Sequence, residues 1–334
     1  MSDFSCYGGV SDEWLAIKDV PQLTSLPSSH QEILNIQRLT NDMREKASAA
    51  ALHSPLEQLS SKPPLLHPLP IYLYFHGGGF IFGTLATEDA TCARIAANAH
   101  IVVLHVNYRH TPAHTYPVAW HDAADAFEWL HDHVALLGGD AERVVVGGIS
   151  AGAQLTASLV LEKHLGRLGT SRPAIAGQLL LIPCVVHIDC YEPQLRKMAD
   201  PAVSSYVENR DAPLLPVAVV RFFVDLLRIE HPQVDDTKLN PGNATDQQVK
   251  GLPPTVFGIA GLDPLRDEGL LYAKMLAEAG VATDVVVFHG VPHGFRRFGD
   301  GLLASQKWDK LVEDGIQWAL GKPAPSGVFE VKVV

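Results

Sequence analysis

Apolar residues recur along the chain in short, nearly unbroken blocks: Ile71-Tyr72-Leu73-Tyr74-Phe75, His100 to Val106, Arg143 to Gly147, Ile175 to Ile182, Thr255 to Ala260 and Thr283 to Phe288. A strand wet on one face would alternate apolar with polar, so blocks of this kind predict strands buried on both faces. Helical spacing fills the intervals, over Ser29 to Ala51, about Glu88 to Ala99, His114 to His133 entered through Pro117, and Ala153 to Leu165. Buried strands alternating with helices predict an α/β chain with a mainly parallel central sheet flanked by helices. The alternation pauses between Pro183 and Gly251, where no strand is predicted. That stretch carries Ser204-Ser205-Tyr206-Val207-Glu208-Asn209 and a helix-like Val217 to Leu227. The tail from Gly321 ends in a strand-like Val328 to Val334, which could pair with another chain or another edge.

The composition adds size and exclusions. At 334 residues, 47% hydrophobic and 19% charged, the chain can bury a large core. A prior of about 150 residues per domain allows two domains, but one compact unit with an inserted cap is preferred. The formal charge of −11, with no Lys/Arg cluster, argues against a nucleic-acid surface. Met1 to Val10 lacks a basic start followed by an apolar core, and no apolar run approaches a membrane span. A cytoplasmic protein is therefore expected. Cys6, Cys92, Cys184 and Cys190 form no C-x-x-C pair, and Cys92 falls in a predicted helix, so free thiols are expected and no metal or other cofactor.

Candidate chemistry begins at Gly148-Ile149-Ser150-Ala151-Gly152, which joins a predicted strand to a predicted helix. Such a turn lifts a serine hydroxyl onto a strained elbow, with glycines where a Cβ would clash. Because glycine and serine are common, the pentapeptide alone says little. Upstream, the first buried strand runs straight into His76-Gly77-Gly78-Gly79-Phe80, whose bare amides could hold an oxyanion. Downstream come an acid and a histidine in the required order. Asp263 follows the strand Thr255 to Ala260, with Asp267 as its rival one turn later, the latter better placed to support a helix N-terminus. His293 lies in the loop after the last strand between Pro292 and Gly294, whereas His289 sits at the strand end.

Taken together, His76 to Phe80, Tyr108-Arg109 with Tyr116-Pro117 and Asp122, Ser150-Ala151-Gly152, Asp263-Pro264-Leu265-Arg266-Asp267-Glu268-Gly269 and His293-Gly294-Phe295 resemble the hormone-sensitive-lipase-like carboxylesterases of the α/β-hydrolase fold. The similarity runs from about Leu69 to Leu320. It implies Ser150 as nucleophile, His293 as base, Asp263 as orienting acid, and the amides of Gly77, Gly78 and Ala151 as an oxyanion hole. It further implies a helical cap segment at 1–60, a core at 61–184 and 251–322, a cap insertion at 185–250 and a tail at 323–334. Phe80, Ile149, Tyr206, Phe222 and Phe223 are the candidate pocket residues. The implied activity is hydrolysis of short to medium acyl or aromatic small-molecule esters. A lactonase, acyltransferase or dehydratase using the same pocket is the alternative, followed by a catalytically silent receptor, against which the retained His293 argues. A homodimer through a sheet edge is expected.

Three departures stand out. Ile149 and Ala153 replace residues common beside the elbow, and Asn107 and Ala113 alter a supporting network. Only about twenty residues, rich in proline and leucine, separate the Gln31 to Ala51 stretch from the first strand. Relatives place an antiparallel hairpin there, so a reduced sheet of about six strands is expected.

Overall fold

The computed structural model describes residues 1–17, 20, 26–52 and 67–334. In chain order the elements are α1 (Asp12–Leu15), α2 (His30–Leu52), β1 (Leu69–Phe75), α3 (Leu85–Ala99), β2 (Val102–Val106), α4 (Val118–Asp132), β3 (Gly139–Ile149), α5 (Ala151–His164) and β4 (Gly177–Leu181). The strandless interval carries α6 (Glu192–Leu195), α7 (Ser205–Glu208), α8 (Val217–Leu226) and α9 (Asp246–Val249). The chain then forms β5 (Thr255–Leu262), α10 (Arg266–Glu278), β6 (Thr283–Pro292), α11 (Leu303–Leu320) and β7 (Lys332–Val333).

The strands form one sheet in the order β2-β1-β3-β4-β5-β6-β7, every pair parallel. Each apolar block divides residue by residue between two cores, because successive side chains leave a strand on opposite faces. Ile71, Leu73 and Phe75 of β1 join Val144 and Val146 of β3 and Val285 and Val287 of β6 on the face covered by α4, α5 and α10. Tyr72, Tyr74, Val145, Val286 and Phe288 join Ile95 of α3 and Trp308, Val312 and Ile316 of α11 on the other. Helix α5 is buried from Ala151 to Glu162, which explains why its sequence shows no polar stripe.

After β1 the chain moves outward to β2, and after β3 it moves the opposite way to β4. Such a reversal opens a crevice at the carboxyl ends of the two central strands. Helix α2 reaches that end through a polar stripe: Gln37 Nε2 donates to Ile81 O at 2.7 Å, Asn41 Oδ1 accepts from Gly83 N at 2.8 Å, and Glu45 accepts from Thr84 Oγ1 at 2.6 Å.

Among the described residues the sheet has seven strands, one more than the expectation of about six. The added strand comes from the tail, which runs along the edge of β6, with Val334 N donating to Val287 O at 2.9 Å and His289 N to Val334 O at 3.1 Å. A strand-like tail carries no register of its own, so its partner was open from pattern alone. The expected reduction of the hairpin ahead of β1 falls largely on residues 53–66, outside the described residues. Among the described residues, no helix is long and apolar enough to cross a membrane.

Candidate active site

Ser150 links β3 to α5 with φ 57° and ψ −119°. Both flanking glycines are required by contact. A Cβ on Gly148 would lie 2.3 Å from Gly152 O, and one on Gly152 would lie 2.1 Å from Phe75 O. Ile149 and Ala153 leave this turn intact, since Ser150 N still donates to Leu181 O at 2.8 Å and Ala153 N to Ser150 O at 2.9 Å.

Strands β5 and β6 bring the other two side chains to the same end of the sheet. Ser150 Oγ lies 2.8 Å from His293 Nε2, and His293 Nδ1 lies 2.7 Å from Asp263 Oδ2. A carboxylate can only accept, so Nδ1 carries the ring proton and Nε2 accepts from the serine hydroxyl. Asp263 is 1% exposed and His293 9%, so water competes little for either bond. The second carboxylate oxygen of Asp263 accepts from Leu265 N at 2.9 Å.

The acid loop is clasped by the polar segment singled out in the strandless interval. Asn209 Nδ2 donates to Asp263 O at 3.0 Å, Ser205 Oγ donates to Pro264 O at 2.6 Å, and Asp267 Oδ2 accepts from Ser205 N at 2.7 Å. Asp267 also pairs with the buried Arg266 at 2.8 Å, which assigns it to this clasp. Glu268 is fully buried; its Oε1 accepts from Val185 N at 2.6 Å and its Oε2 lies 3.3 Å from Tyr206 OH. Burial pushes its carboxyl up to about 8, against the opposing pull of the Val185 and Val186 amides.

The triple-glycine loop turns at Gly78 (φ +131°) and Gly79 (φ +60°). A Cβ on Gly78 would lie 2.2 Å from Phe82 O. Among the described residues, the amide N–H groups of Gly77 and Gly78 have no hydrogen-bond partner. Beneath them, buried His76 stacks on Tyr108 at 4.4 Å, and Tyr108 OH donates to His76 O at 2.8 Å. Burial holds the His76 ring well below the usual imidazole range. The Tyr108-Arg109 motif is anchored by Asp122, whose Oδ2 accepts from Arg109 N at 2.7 Å.

An apolar cleft opens beside Ser150. Val220, Phe223, Val224 and Leu227 form one wall, with Phe80, Leu215 and Leu265 completing most of the apolar lining. Four of these residues lie at i, i+3, i+4 and i+7, a single helical face. Of the candidate pocket residues, Phe80 and Phe223 line the cleft. Phe222 falls off that face, Tyr206 turns edge-on to Tyr191 at 4.6 Å, and Ile149 packs with the opposite core. Val220, Val224, Leu215, Leu265, Gln154, Cys184 and His187 were missed; the periodicity of α8 could have found the first two, but nothing local marks the others. The four cysteines are free, and among the described residues no group of three or more His, Cys, Asp or Glu could hold a metal ion.

Residues 72–297 match the family described as the alpha/beta hydrolase fold. The chain is 36% identical over 230 residues to esterase LipI of Mycobacterium tuberculosis, covering 68% of this chain and 65% of LipI, so it spans just under two thirds of that relative. It is also 36% identical over 242 residues to carboxylesterase NlhH of the same species, covering 71% of this chain and 70% of NlhH. The crystal structure of esterase LipW from Mycobacterium marinum superposes with a TM-score of 0.72 at 29% identity, covering 87% of this chain and 91% of that one.

Proposed function

The chain belongs to the α/β-hydrolase fold family, in its hormone-sensitive-lipase-like carboxylesterase branch, and on that premise we propose that it hydrolyses carboxylic esters through Ser150, His293 and Asp263. The observation that carries the proposal is the continuous path from Ser150 Oγ to His293 Nε2 at 2.8 Å and from Nδ1 to Asp263 Oδ2 at 2.7 Å. A serine hydroxyl is a weak nucleophile near neutral pH and needs a base within this reach.

Ser150 Oγ attacks the ester carbonyl as its proton passes to His293 Nε2. Asp263 holds the imidazole in the required tautomer and stabilises the imidazolium. The tetrahedral oxyanion is met by the amides of Gly77, Gly78 and Ala151, dipoles already in place as charge develops. His293 then protonates the leaving alcohol, and water, activated by the same imidazole, releases the acid. The strandless interval and α2 act as the cap over this site, and small-molecule esters with an apolar portion suit the lining of the cleft.

A silent receptor would not need the histidine, so the position of His293 favours an enzyme. A fluorophosphonate probe is expected to label wild-type protein at Ser150 and to leave Ser150→Ala unlabelled. Full p-nitrophenyl ester hydrolysis by a folded Ser150→Ala variant would overturn the proposal.

A further inference from the structure

The chain leaving β4 buries Val185 and Val186 and then places His187 in the wall of the cleft. His187 is 3% exposed and is held at its backbone, where its N–H donates to Asn240 Oδ1 at 2.7 Å. Its Nδ1 accepts the backbone N–H of Asp189 at 3.2 Å. Asp189 is itself fixed by an ion pair with Arg221, which stands on α8 next to the cleft-lining Val220. A neutral imidazole with Nδ1 occupied as acceptor must carry its proton on Nε2. Burial lowers the ring's proton affinity, which keeps it neutral. Among the described residues Nε2 has no hydrogen-bond partner, and His187 lines the cleft. The residue that bears this lone N–H donor shares the wall of the cleft with Leu215, Val220, Phe223 and Leu227.

We infer that His187 selects esters whose cleft-bound portion carries a hydrogen-bond-accepting oxygen, such as a keto, hydroxyl or ether group, over plain alkyl esters. This rests on the hydrolase reading above. An alkyl chain drawn against His187 strips water from the Nε2–H and offers nothing in return, whereas an oxygen at the right position restores the bond. Leaving one buried donor unpaired corresponds to about a ten- to hundredfold loss in kcat/KM.

The test uses matched ester pairs in which one methylene is replaced by an ether oxygen at successive positions. One arm varies the acyl chain of p-nitrophenyl esters; the other varies the alcohol of acetate esters. At one position in one arm, the wild type should favour the oxygen-bearing ester by about tenfold or more, beyond the ratio set by alkaline hydrolysis. His187→Leu should bring the ratio of the two esters to the alkaline one, and His187→Gln, which keeps a donor, should restore part of the preference. Equal ratios in wild type and His187→Leu at every position would overturn the inference. So would a wild type with no preference beyond alkaline hydrolysis, a result that needs no variant to fold. If the wild type cleaves neither member of any pair, the hydrolase reading fails; if it cleaves both without discrimination, only the role of His187 fails.

Discussion

Ser150 occupies a backbone conformation, φ 57° and ψ −119°, that an L-residue adopts at a cost of about 1–3 kcal/mol. Glycine removes that strain but adds freedom to the unfolded chain, so Ser150→Gly is expected to be inactive yet about 1 kcal/mol more stable in urea unfolding. Gly152→Ala should do the reverse, since its Cβ would meet Phe75 O at 2.1 Å. A loss of about 3 kcal/mol, with activity, is expected for that variant and is measurable by thermal melting. Glu268 supplies a pH-dependent term. Its unfolded carboxyl releases a proton near 4.5 and the folded one near 8, so between those values the folded chain keeps a proton the unfolded chain has lost. Stability therefore falls as pH rises through that window. Glu268→Gln should flatten this part of the profile, gaining on the wild type from pH 5 to pH 8 in denaturant titrations.

At the scale of elements, the site depends on segments that hold loops in place without touching a substrate. Asn209, just past α7, fixes the carbonyls of Asp263 and Gly261 through one amide. Asn209→Ala is expected to lower kcat about tenfold with little change in KM, because it frees the acid loop and not the cleft. The tail acts at the sheet edge. Val331 packs on the core, Phe329 meets Phe4 edge-on at 6.1 Å, and β7 covers the outer edge of β6. A dimer built on that edge would have to displace β7. Truncation after Gly327 should expose unpaired amides on β6 and raise self-association in light scattering.

At the scale of the molecule, buried imidazoles join Glu268 in setting the pH range of the fold. His105 and His110 sit within 5.4 Å and 5.2 Å of the His76 ring, and burial lowers both to about 4. Unfolded histidines take up protons below about 6.5 while these do not, so stability is lost as pH falls from about 6.5 to 4. Two imidazoles outweigh the single carboxyl where the windows overlap, and Glu268 alone acts above them. These groups set a stability maximum near pH 6.5, to be checked by unfolding free energies at pH 4.5, 6.5 and 8.5.

Local pattern by itself determined the two-faced strands, the elbow between Gly148 and Gly152 and the order of serine, acid and histidine. Periodicity and backbone sterics act over a few residues and leave their mark on those same residues. Asp263 and His293 could be placed at strand ends because parallel strands deliver their following loops to one edge of the sheet. Only the tertiary structure decided which face of α8 meets the cleft, that the segment from Ser204 to Asn209 clasps the acid loop, and that the tail becomes a seventh strand. It also decided that His187 joins the wall of the cleft. Each of these depends on contacts between residues far apart in the chain, where a side chain's direction is set by what packs against it and not by its neighbours in sequence.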